Sequence, residues 1–262
     1  MNLIINYCWG NKLFESFDFK IYLQSLDKID NAQKVLFVNK CYSAEIEKIS
    51  HHYSIILYFD QEAIHLDEVI FNFLGQNSNT FKNVLICDSR DIILQKNPFE
   101  YMENNNKNLY LTSEGMTVAE SPPNYTWMVH LSKTQRDYND EVYENQVING
   151  GVLGGKIEHV MYLLMISFTN TNRNSSNPIC NQTIYSFIEY FLKSLNFVEI
   201  CKPDTSLFCI TGQGVGKHGV PMKIVDGLAC NENDEPYYIV HQWDRTFFAE
   251  EVRSRYLEGQ KE

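Results

Sequence analysis

Two carboxylates flank an arginine in the segment Asp88-Ser-Arg-Asp91, directly after the apolar run 84–87. A continuously apolar run is typical of a parallel strand that is buried on both faces. Ligands in open α/β sheets bind beyond the carboxyl ends of such strands, where paired carboxylates can hold a hard divalent cation. The segment therefore predicts a metal site that includes Asp88 and Asp91. The structural alternative is that Asp91 caps the next turn while Asp88 pairs with Arg90.

A glycine-rich segment, Asn149-Gly-Gly-Val-Leu-Gly-Gly155, comes later in the chain. Because glycine has no Cβ atom, the backbone N–H groups of Gly150 and Gly151 can approach a sugar or a phosphate closely. Asn149 offers both hydrogen-bond donors and acceptors beside them. The pattern indicates a ligand-binding loop, and it fits equally well a glycine-rich turn before a helix that begins at residue 156.

The third segment, His241-Gln-Trp-Asp-Arg245, stands at the end of a predicted strand over 237–241. A neutral imidazole is a common metal ligand, and a guanidinium can bind a diphosphate through a forked pair of hydrogen bonds. This favours His241 as a metal ligand and Arg245 as a phosphate ligand. The alternative is a structural role for the histidine, with Asp244 and Arg245 paired at the surface.

The spacing of apolar residues predicts the elements that must position these segments. Short β-branched or aromatic runs alternate with segments of helical period over the first hundred residues, which predicts βαβ units and a largely parallel sheet. The predicted strands cover 3–8, 34–38, 54–59 and 83–87, and the predicted helices cover 17–29, 44–50, 66–74, 156–168 and 179–195. No linker is long enough to separate two cores, so the sequence predicts one α/β domain over 1–262.

Composition narrows the class of protein. The 262 residues contain 22 Lys and Arg against 33 Asp and Glu, a formal net charge of −11. Such an acidic chain lacks the clustered basic side chains of proteins that coat nucleic acids, so no nucleic-acid partner is expected. Seven scattered cysteines without a CxxC pair are typical of reduced thiols. The N-terminus lacks a basic region before its short apolar run, and no run approaches about 20 apolar residues, which predicts a cytoplasmic protein without a transmembrane segment.

Together, these segments resemble the nucleotide-sugar-dependent glycosyltransferases with the GT-A fold. The segment from Val84 to Phe99 is similar to their hydrophobic strand, DxD-type motif and Asn-Pro-Phe turn. The glycine-rich segment resembles their donor-sugar loop, and Cys180-Asn-Gln-Thr183 resembles the start of a helix with an Asp-Gln pair. The segment 241–245 resembles their late histidine motif. The order and spacing of the motifs fit over most of the chain.

The resemblance implies a single-domain GT-A (Rossmann-like) fold with a mainly parallel central sheet flanked by helices. Residues 1–100 would form the nucleotide-binding half, and 101–262 the acceptor-binding half with a C-terminal tail. The implied donor-binding residues are Asn6, Tyr7, Asp88, Arg90, Asn149, Gly150, Gly151, Gln182, Lys217 and Arg245. The implied cofactor is Mn²⁺ or Mg²⁺, with Asp88, Asp91 and His241 as its ligands. Glu120 and Asp140 are candidate catalytic bases, and the stereochemistry of the reaction stays open.

The implied function is transfer of a sugar from a nucleotide-sugar donor to a hydroxyl group of a glycan or lipid-linked glycan, as in polysaccharide biosynthesis. Two residues depart from the family pattern. The acidic motif is D-S-R-D, so either Asp88 and Asp91 both bind the metal, or Asp91 binds it alone while Asp88 holds the ribose. Asn181 replaces the usual aspartate before Gln182. A catalytically inactive nucleotide-sugar-binding module and a metal-dependent phosphoesterase are the alternative functions.

Overall fold

The structure is a computed structural model that describes residues 1–8, 17–39, 46, 49–59, 65–132, 140–170, 181–212, 215 and 221–258. The strands are β1 (Asn2–Cys8), β2 (Ala32–Asn39), β3 (Ile55–Phe59), β4 (Asn83–Asp88), β5 (Ile92–Leu94), β6 (Leu109–Thr117), β7 (Gln146–Lys156), β8 (Val198–Cys201), β9 (Cys209–Thr211), β10 (Lys223–Val225), β11 (Leu228–Cys230) and β12 (Ile239–His241). The α-helices are α1 (Phe17–Asp27), α2 (Leu66–Asn77), α3 (Pro98–Asn105), α4 (Pro122–Ser132), α5 (Ile157–Asn170), α6 (Asn181–Leu192) and α7 (Phe248–Glu258). Two short 3₁₀ helices cover Asp140–Glu144 and Trp243–Arg245.

The central sheet has seven strands in the order β3-β2-β1-β4-β7-β6-β8. Neighbouring strands run parallel from β3 to β4 and between β6 and β8, whereas β7 runs antiparallel to both of its neighbours. The sheet is therefore mostly parallel, and the carboxyl ends of β1, β2 and β4 meet at one edge. Ligands bind at this edge in open α/β sheets.

Helices cover both faces of the sheet. Successive side chains of a strand point to opposite faces, and β1 follows this rule. Ile4 joins a buried cluster with Phe19 and Tyr22 of α1. Leu3 and Ile5 join a second cluster, which includes side chains of α2, α5 and α6. The chain thus has a central sheet between two helical layers, an α/β arrangement that is compatible with a Rossmann-like fold.

A second sheet, of order β5-β12-β9, connects the turn after β4 to a late part of the chain. β12 runs antiparallel to β5, and its residue His241 pairs with Ile92. β10 and β11 form a separate antiparallel hairpin. The second sheet therefore brings the late histidine segment next to Asp91, although the two are far apart in the sequence.

The predicted α/β class, with a mostly parallel sheet flanked by helices, is confirmed. The strands and helices predicted in the first half agree with β1 to β4, α1 and α2 within a few residues. The helix predicted over 44–50 lies largely outside the described residues. In the second half, α5, α6 and β12 match predicted elements. Within the described part of the chain, no helix combines the length and the apolar character needed to cross a membrane.

The glycine-rich segment differs from its prediction as a loop or turn, because it lies inside β7. Its glycines allow close packing rather than a change of direction. A Cβ atom on Gly154 would meet the Met102 side chain and the carbonyl of Val84. Gly155 has a φ of +148° and approaches the carbonyl of Asn108, so that position favours glycine on both grounds.

Candidate functional site

The two predicted acidic ligands lie at either end of a short turn. β4 ends at Asp88, and Asp91 directly precedes β5. The hydroxyl of Ser89 donates a 2.8 Å hydrogen bond to the carbonyl of Tyr7. This bond fixes the turn to the end of β1, so both aspartates stand at the carboxyl edge of the central sheet.

His241 reaches this turn because β12 ends beside it. The amide of Gln242 donates a 2.7 Å hydrogen bond to the carbonyl of Asp91. The imidazole Nε2 of His241 lies 3.4 Å from Asp88 Oδ2 and 3.5 Å from Asp91 Oδ1. One possible ligand atom of each of the three residues lies within 4.8 Å of the others. The structure thus brings together the three residues that were predicted as metal ligands, which we call the acidic-histidine cluster.

Burial and neighbouring charges shift the pKa values of two members of this cluster in opposite directions. Burial raises the pKa of Asp91, but the His241 imidazole and the guanidinium groups of Arg90 and Arg245 lower it, with the net result that this pKa is about 2. Burial lowers the pKa of His241, but the carboxylates of Asp88 and Asp91 raise it to about 9. The cluster therefore draws a proton onto a buried imidazole at neutral pH. A metal cation would take the place of that proton.

Three features of the acidic-histidine cluster fit a divalent cation. Asp91 Oδ1 is buried and has no hydrogen-bond partner among the described residues. The side chain of Asp88 is 32% exposed, so an ion can reach it from solvent. A Cβ atom on Gly151 would lie 2.6 Å from Asp88 Oδ2 and 2.5 Å from His241 Cε1, so glycine allows both ligands to converge against β7. Carboxylates suit Mg²⁺ and Mn²⁺, and an imidazole is a common additional ligand of transition metals.

Two arginines face the other oxygen of Asp91. Arg90 Nη2 lies 3.7 Å and Arg245 Nη2 lies 3.8 Å from Asp91 Oδ2. Their side chains remain 54% and 43% exposed. Because these ion pairs are longer than a hydrogen bond, both guanidinium groups keep donors that can bind an anionic ligand.

An open cavity of about 500 Å³ adjoins the cluster, since Gln242 and Arg245 belong to its lining. We call it the side cavity. Glu114 and Asn124 lie on its buried part, with 5% of the surface of each residue exposed, and Trp127 lies on its accessible part. A cavity of this volume fits a small-molecule ligand.

Asn149 connects the side cavity to the acidic-histidine cluster. Its Nδ2 donates a 2.9 Å hydrogen bond to Glu114 Oε1. Its Oδ1 accepts a 2.7 Å hydrogen bond from the amide of Gly151, the residue that packs beside Asp88 and His241. The predicted donor-binding residue Asn149 therefore positions the backbone next to the cluster.

Gln182 forms a second connection, from the start of α6. Its Nε2 donates to Asn124 Oδ1 at 3.0 Å and to Glu114 Oε1 at 3.5 Å. Its Oε1 accepts from the amide of Gly150 at 3.4 Å. A Cβ atom on Gly150 would lie 2.7 Å from Oδ1 of Asn181. The start of α6 thus packs directly against the glycine-rich strand.

The two predicted donor-binding residues of β1 lie in different surroundings. Asn6 is fully buried, and its Nδ2 donates to the carbonyl of Cys87 at 3.0 Å. Its side chain therefore joins β1 to β4. Burial raises the pKa of Tyr7 well above its usual value, as does the Asp88 carboxylate to which its hydroxyl hydrogen-bonds. Tyr7 thus contacts a predicted metal ligand from the side of β1.

The remaining predicted residues lie apart from the cluster or outside the described part. Glu120 is on the lining of the side cavity, but its Oε2 accepts hydrogen bonds from the amide and the hydroxyl of Thr117 at 2.8 and 3.1 Å. Asp140 begins a 3₁₀ helix, and its side chain lies outside the described part of the chain. Lys217 also lies outside the described residues.

Sequence reasoning missed Glu114, Asn124 and Trp127. Glu114 lies in a stretch of β6 where the register with β7 shifts between Leu111 and Ser113 and again before Thr117. Such bulges re-aim side chains in a way that no periodic pattern predicts. A signal was present for Asn124 and Trp127, because Ser121 followed by two prolines is typical of the start of a helix.

No protein-family model matches the chain, and no curated protein matches its sequence. The geometry and chemistry of the site therefore carry the functional conclusion.

Proposed function

We propose that this protein is a glycosyltransferase that moves a sugar from a nucleotide-sugar donor to a hydroxyl group of an acceptor. The observation that carries the proposal is the convergence of Asp88, Asp91 and His241 within 4.8 Å at the carboxyl edge of a mostly parallel sheet. Nucleotides bind at that edge in doubly wound α/β folds. The adjoining side cavity supports the proposal because it offers room for a second substrate.

The charged residues would hold the donor by its diphosphate. A divalent cation, Mn²⁺ or Mg²⁺, supplies positive charge that stabilises the leaving nucleoside diphosphate. Asp88, Asp91 and His241 are its ligands in this proposal. Arg90 and Arg245 bind phosphate oxygens through their exposed donors. The five side chains thus hold the leaving group in an environment that favours its negative charge.

The glycine-rich strand would bind the transferred sugar. Because Gly151 has no side chain, Asp88 and His241 lie directly against this strand, and Gly150 allows Asn181 to do the same. Asn149 and Gln182 hold this strand in place through their hydrogen bonds to its amides. A sugar attached to the diphosphate would extend along this strand toward the side cavity.

In the reaction, an acceptor oxygen forms a bond to the anomeric carbon of the sugar. The bond from that carbon to the diphosphate oxygen breaks, and its electron pair leaves with the nucleoside diphosphate. The acceptor proton passes to a base or to the leaving phosphate. Glu120 and Asp140 are the bases predicted from the sequence.

We further propose that the acceptor is a glycan or a lipid-linked glycan and that the protein acts in the cytoplasm. Both statements depend on the resemblance to glycosyltransferases that assemble polysaccharides on that side of the membrane. The acidic composition supports the exclusion of nucleic acid as a partner.

A binding experiment tests the proposal first. Thermal unfolding is followed with a panel of nucleoside diphosphates and nucleotide sugars, each with Mn²⁺, with Mg²⁺ and with EDTA. A ligand that binds the folded state raises its apparent stability by mass action. We expect a rise in melting temperature with one nucleotide class, only when the metal is present, and no rise for the Asp91→Asn variant.

A turnover experiment then separates the three candidate functions. Release of the nucleoside diphosphate on addition of a saccharide acceptor supports the transferase. Metal-dependent donor binding without release under any acceptor identifies an inactive binding module. Release of phosphate from a simple ester, without nucleotide-sugar binding, identifies a phosphoesterase and overturns the proposal.

A further inference from the structure

Glu114 is a buried carboxylate that the proposed chemistry does not yet use. Its Oε1 accepts hydrogen bonds from Asn149 at 2.9 Å and from Gln182 at 3.5 Å. Among the described residues, no donor binds its other oxygen, Oε2. The residue lies on the lining of the side cavity. An ionised carboxylate only accepts hydrogen bonds, so Glu114 offers the cavity a fixed acceptor.

The amide groups around Glu114 hold it in position. Gln182 also donates to Asn124 Oδ1 at 3.0 Å, and Asn124 Nδ2 donates to the hydroxyl of Ser121 at 2.8 Å. These hydrogen bonds use the Gln182 amide donors and connect β6 to α4 and α6. A ligand in the side cavity therefore meets a rigid acceptor whose partners are already fixed.

The charges in the side cavity disfavour an anionic ligand. Glu114 and Glu120 contribute two negative charges to its lining, and Arg245 contributes one positive charge. The hydrogen bonds from Thr117 to Glu120 Oε2 come from neutral groups and leave that charge in place. Because the carboxylates outnumber the guanidinium, an anion is repelled. A molecule that donates hydrogen bonds and carries no negative charge fits this lining.

Trp127 adds an apolar surface to this polar cavity. It is 36% exposed and lies on the lining together with Pro122 and Pro123. The face of an indole ring packs well against the C–H groups of a pyranose, whose hydroxyl groups point outward from the ring edge. One wall thus suits the face of a sugar ring, while Glu114 suits its hydroxyl groups.

From this arrangement we infer that the side cavity binds a pyranose of the acceptor that carries no negative charge, which stacks on Trp127 and donates a hydroxyl hydrogen bond to Glu114. The inference rests on the proposed transferase function and names the chemical class of its acceptor. Both residues are specificity-determining: Trp127 selects for a ring, and Glu114 selects for a hydrogen-bond donor without negative charge.

A direct binding experiment tests the inference without turnover. Tryptophan emission is titrated with neutral methyl pyranosides and N-acetylglucosamine, with the open-chain polyol sorbitol, with glucuronic acid and with glucosamine. Each titration is repeated with Mg²⁺ and a nucleoside diphosphate present. We expect at least one pyranose without a carboxylate to change the emission and to bind at least about tenfold more tightly than sorbitol or glucuronic acid.

Three variants assign the response to the two residues. Trp127→Phe should remove most of the emission change, because Trp127 is the fluorophore in contact. Glu114→Gln should weaken pyranose binding about tenfold. In that variant the amide oxygen stays with Asn149 and Gln182, so an N–H₂ group faces the cavity where the ligand hydroxyl needs an acceptor. Tyr125→Ala, on the outer side of the same helix, should leave binding unchanged.

Several outcomes overturn the inference. These are no response to any pyranose with or without the nucleotide, an unchanged response in Trp127→Phe, tighter binding of glucuronic acid than of every pyranose without a carboxylate, or full affinity in Glu114→Gln. Failure of the proposed function is recognised separately, because it removes metal-dependent nucleotide-sugar binding. If donor binding persists while the pyranose titrations fail, the function stands and the side cavity has another role.

Kinetics give a second readout once an acceptor is known. Glu114→Gln should raise the KM for the acceptor about tenfold and leave the KM for the nucleotide sugar unchanged. A variant that raises both KM values alike would instead indicate that Glu114 supports the donor site.

Discussion

Asp91 and Asp67 are both almost completely buried, with 3% and 4% of their surface exposed, yet the charges around them differ. Asp91 faces the imidazole of His241 and two arginines. Asp67 lies in the first turn of α2, where its Oδ2 accepts hydrogen bonds from the hydroxyl groups of Ser167 and Tyr185. One carboxylate therefore has cationic neighbours, and the other has mostly neutral ones.

The pKa values of the two groups follow this difference. The cationic neighbours of Asp91 outweigh its burial and bring its pKa to about 2, whereas burial raises the pKa of Asp67. A buried charge is costly unless its neighbours stabilise it. Asp91 is stabilised as an anion although its Oδ1 has no hydrogen-bond partner among the described residues. Such an ionised oxygen suits the binding of a metal cation. Asp67 links α2 to α5 and α6 and suits a structural role.

Replacing each aspartate by asparagine gives the largest expected contrast. Asp91→Asn replaces one of the two carboxylate ligands by a neutral amide, so we expect it to lower the affinity for Mn²⁺ at least about 100-fold. Metal-dependent binding of nucleoside diphosphates should fall with it. Isothermal titration calorimetry of both ligands measures the effect.

Asp67→Asn is the matched control for this experiment. It removes an equally buried carboxylate that lies outside the acidic-histidine cluster, so Mn²⁺ affinity should stay within about twofold of the wild type. Circular dichroism establishes that both variants fold. If both substitutions weaken Mn²⁺ binding alike, the loss reflects a general change in the fold. If Asp91→Asn binds Mn²⁺ normally, Asp91 is not a ligand.

Two glycine substitutions test whether space beside the ligands matters as much as charge. Gly151→Ala places a Cβ atom 2.6 Å from Asp88 Oδ2 and 2.5 Å from His241 Cε1, and should lower Mn²⁺ affinity about 10- to 100-fold by moving both ligands. Gly75→Ala is the control, because its Cβ atom would meet Met161 Cε at an ordinary 3.5 Å. Since Gly75 lies within α2, alanine there should stabilise the protein by about 0.5–1 kcal/mol.

Calorimetry and thermal unfolding of these two variants separate the effects. Metal affinity should fall in Gly151→Ala alone, and melting temperature should rise in Gly75→Ala. Normal metal binding by Gly151→Ala would mean that the cluster has room to rearrange, and that glycine is needed there only for packing of β7.

The sequence was sufficient to predict the parts of the fold that have strong periodicity. The apolar run ending at Cys87 predicted β4, and the helical period after residue 65 predicted α2. The central strand β7 was not predicted, because Gly150, Gly151, Gly154 and Gly155 lack the β-branched or aromatic side chains that mark strands. Its strand conformation depends on its neighbours β4 and β6, which are distant in sequence.

Some residues of the candidate site could likewise be predicted from the sequence, and others could not. Asp88 and Asp91 were recognisable because they directly follow a buried strand, and His241 because it ends a late one. Their convergence depends on β5 pairing with β12, which local sequence does not encode. Glu114 was not recognisable, because the register shifts that direct it into the side cavity arise only when β6 pairs with β7. Periodic residues were predictable, and residues placed by irregular pairing were not.

The pH dependence of metal binding tests the acidic-histidine cluster through a smaller effect. The pKa of His241 is raised to about 9 in the metal-free protein, so a cation must displace one proton from the imidazole at neutral pH. Apparent metal affinity should therefore rise about tenfold for each pH unit up to about 9 and level off above it. Asp91, with a pKa of about 2, releases no proton in this range.

Calorimetry in buffers of different ionisation enthalpy measures the proton release directly. We expect one proton released for each Mg²⁺ bound near neutral pH in the wild type, and none in His241→Gln. If the wild type releases no proton, the His241 imidazole is already neutral in the metal-free protein. The carboxylates of Asp88 and Asp91 then raise its pKa less than their distances indicate.

The smallest effect concerns the stability contributed by Asp67. A carboxyl group whose pKa is raised on folding binds its proton more tightly in the folded state, so stability falls as the pH rises from its ordinary value of about 3.9 through the raised one. Asp67→Asn removes this dependence while keeping an oxygen that accepts from Ser167 and Tyr185. Relative to the wild type, the variant should gain stability as the pH rises from about 4 to about 7. Urea unfolding at the two pH values measures this difference. A variant that instead loses stability at neutral pH would mean that the fold needs Asp67 as an anion. Asp67 and Asp91 would then both be stabilised as charged groups, and they would differ only in function.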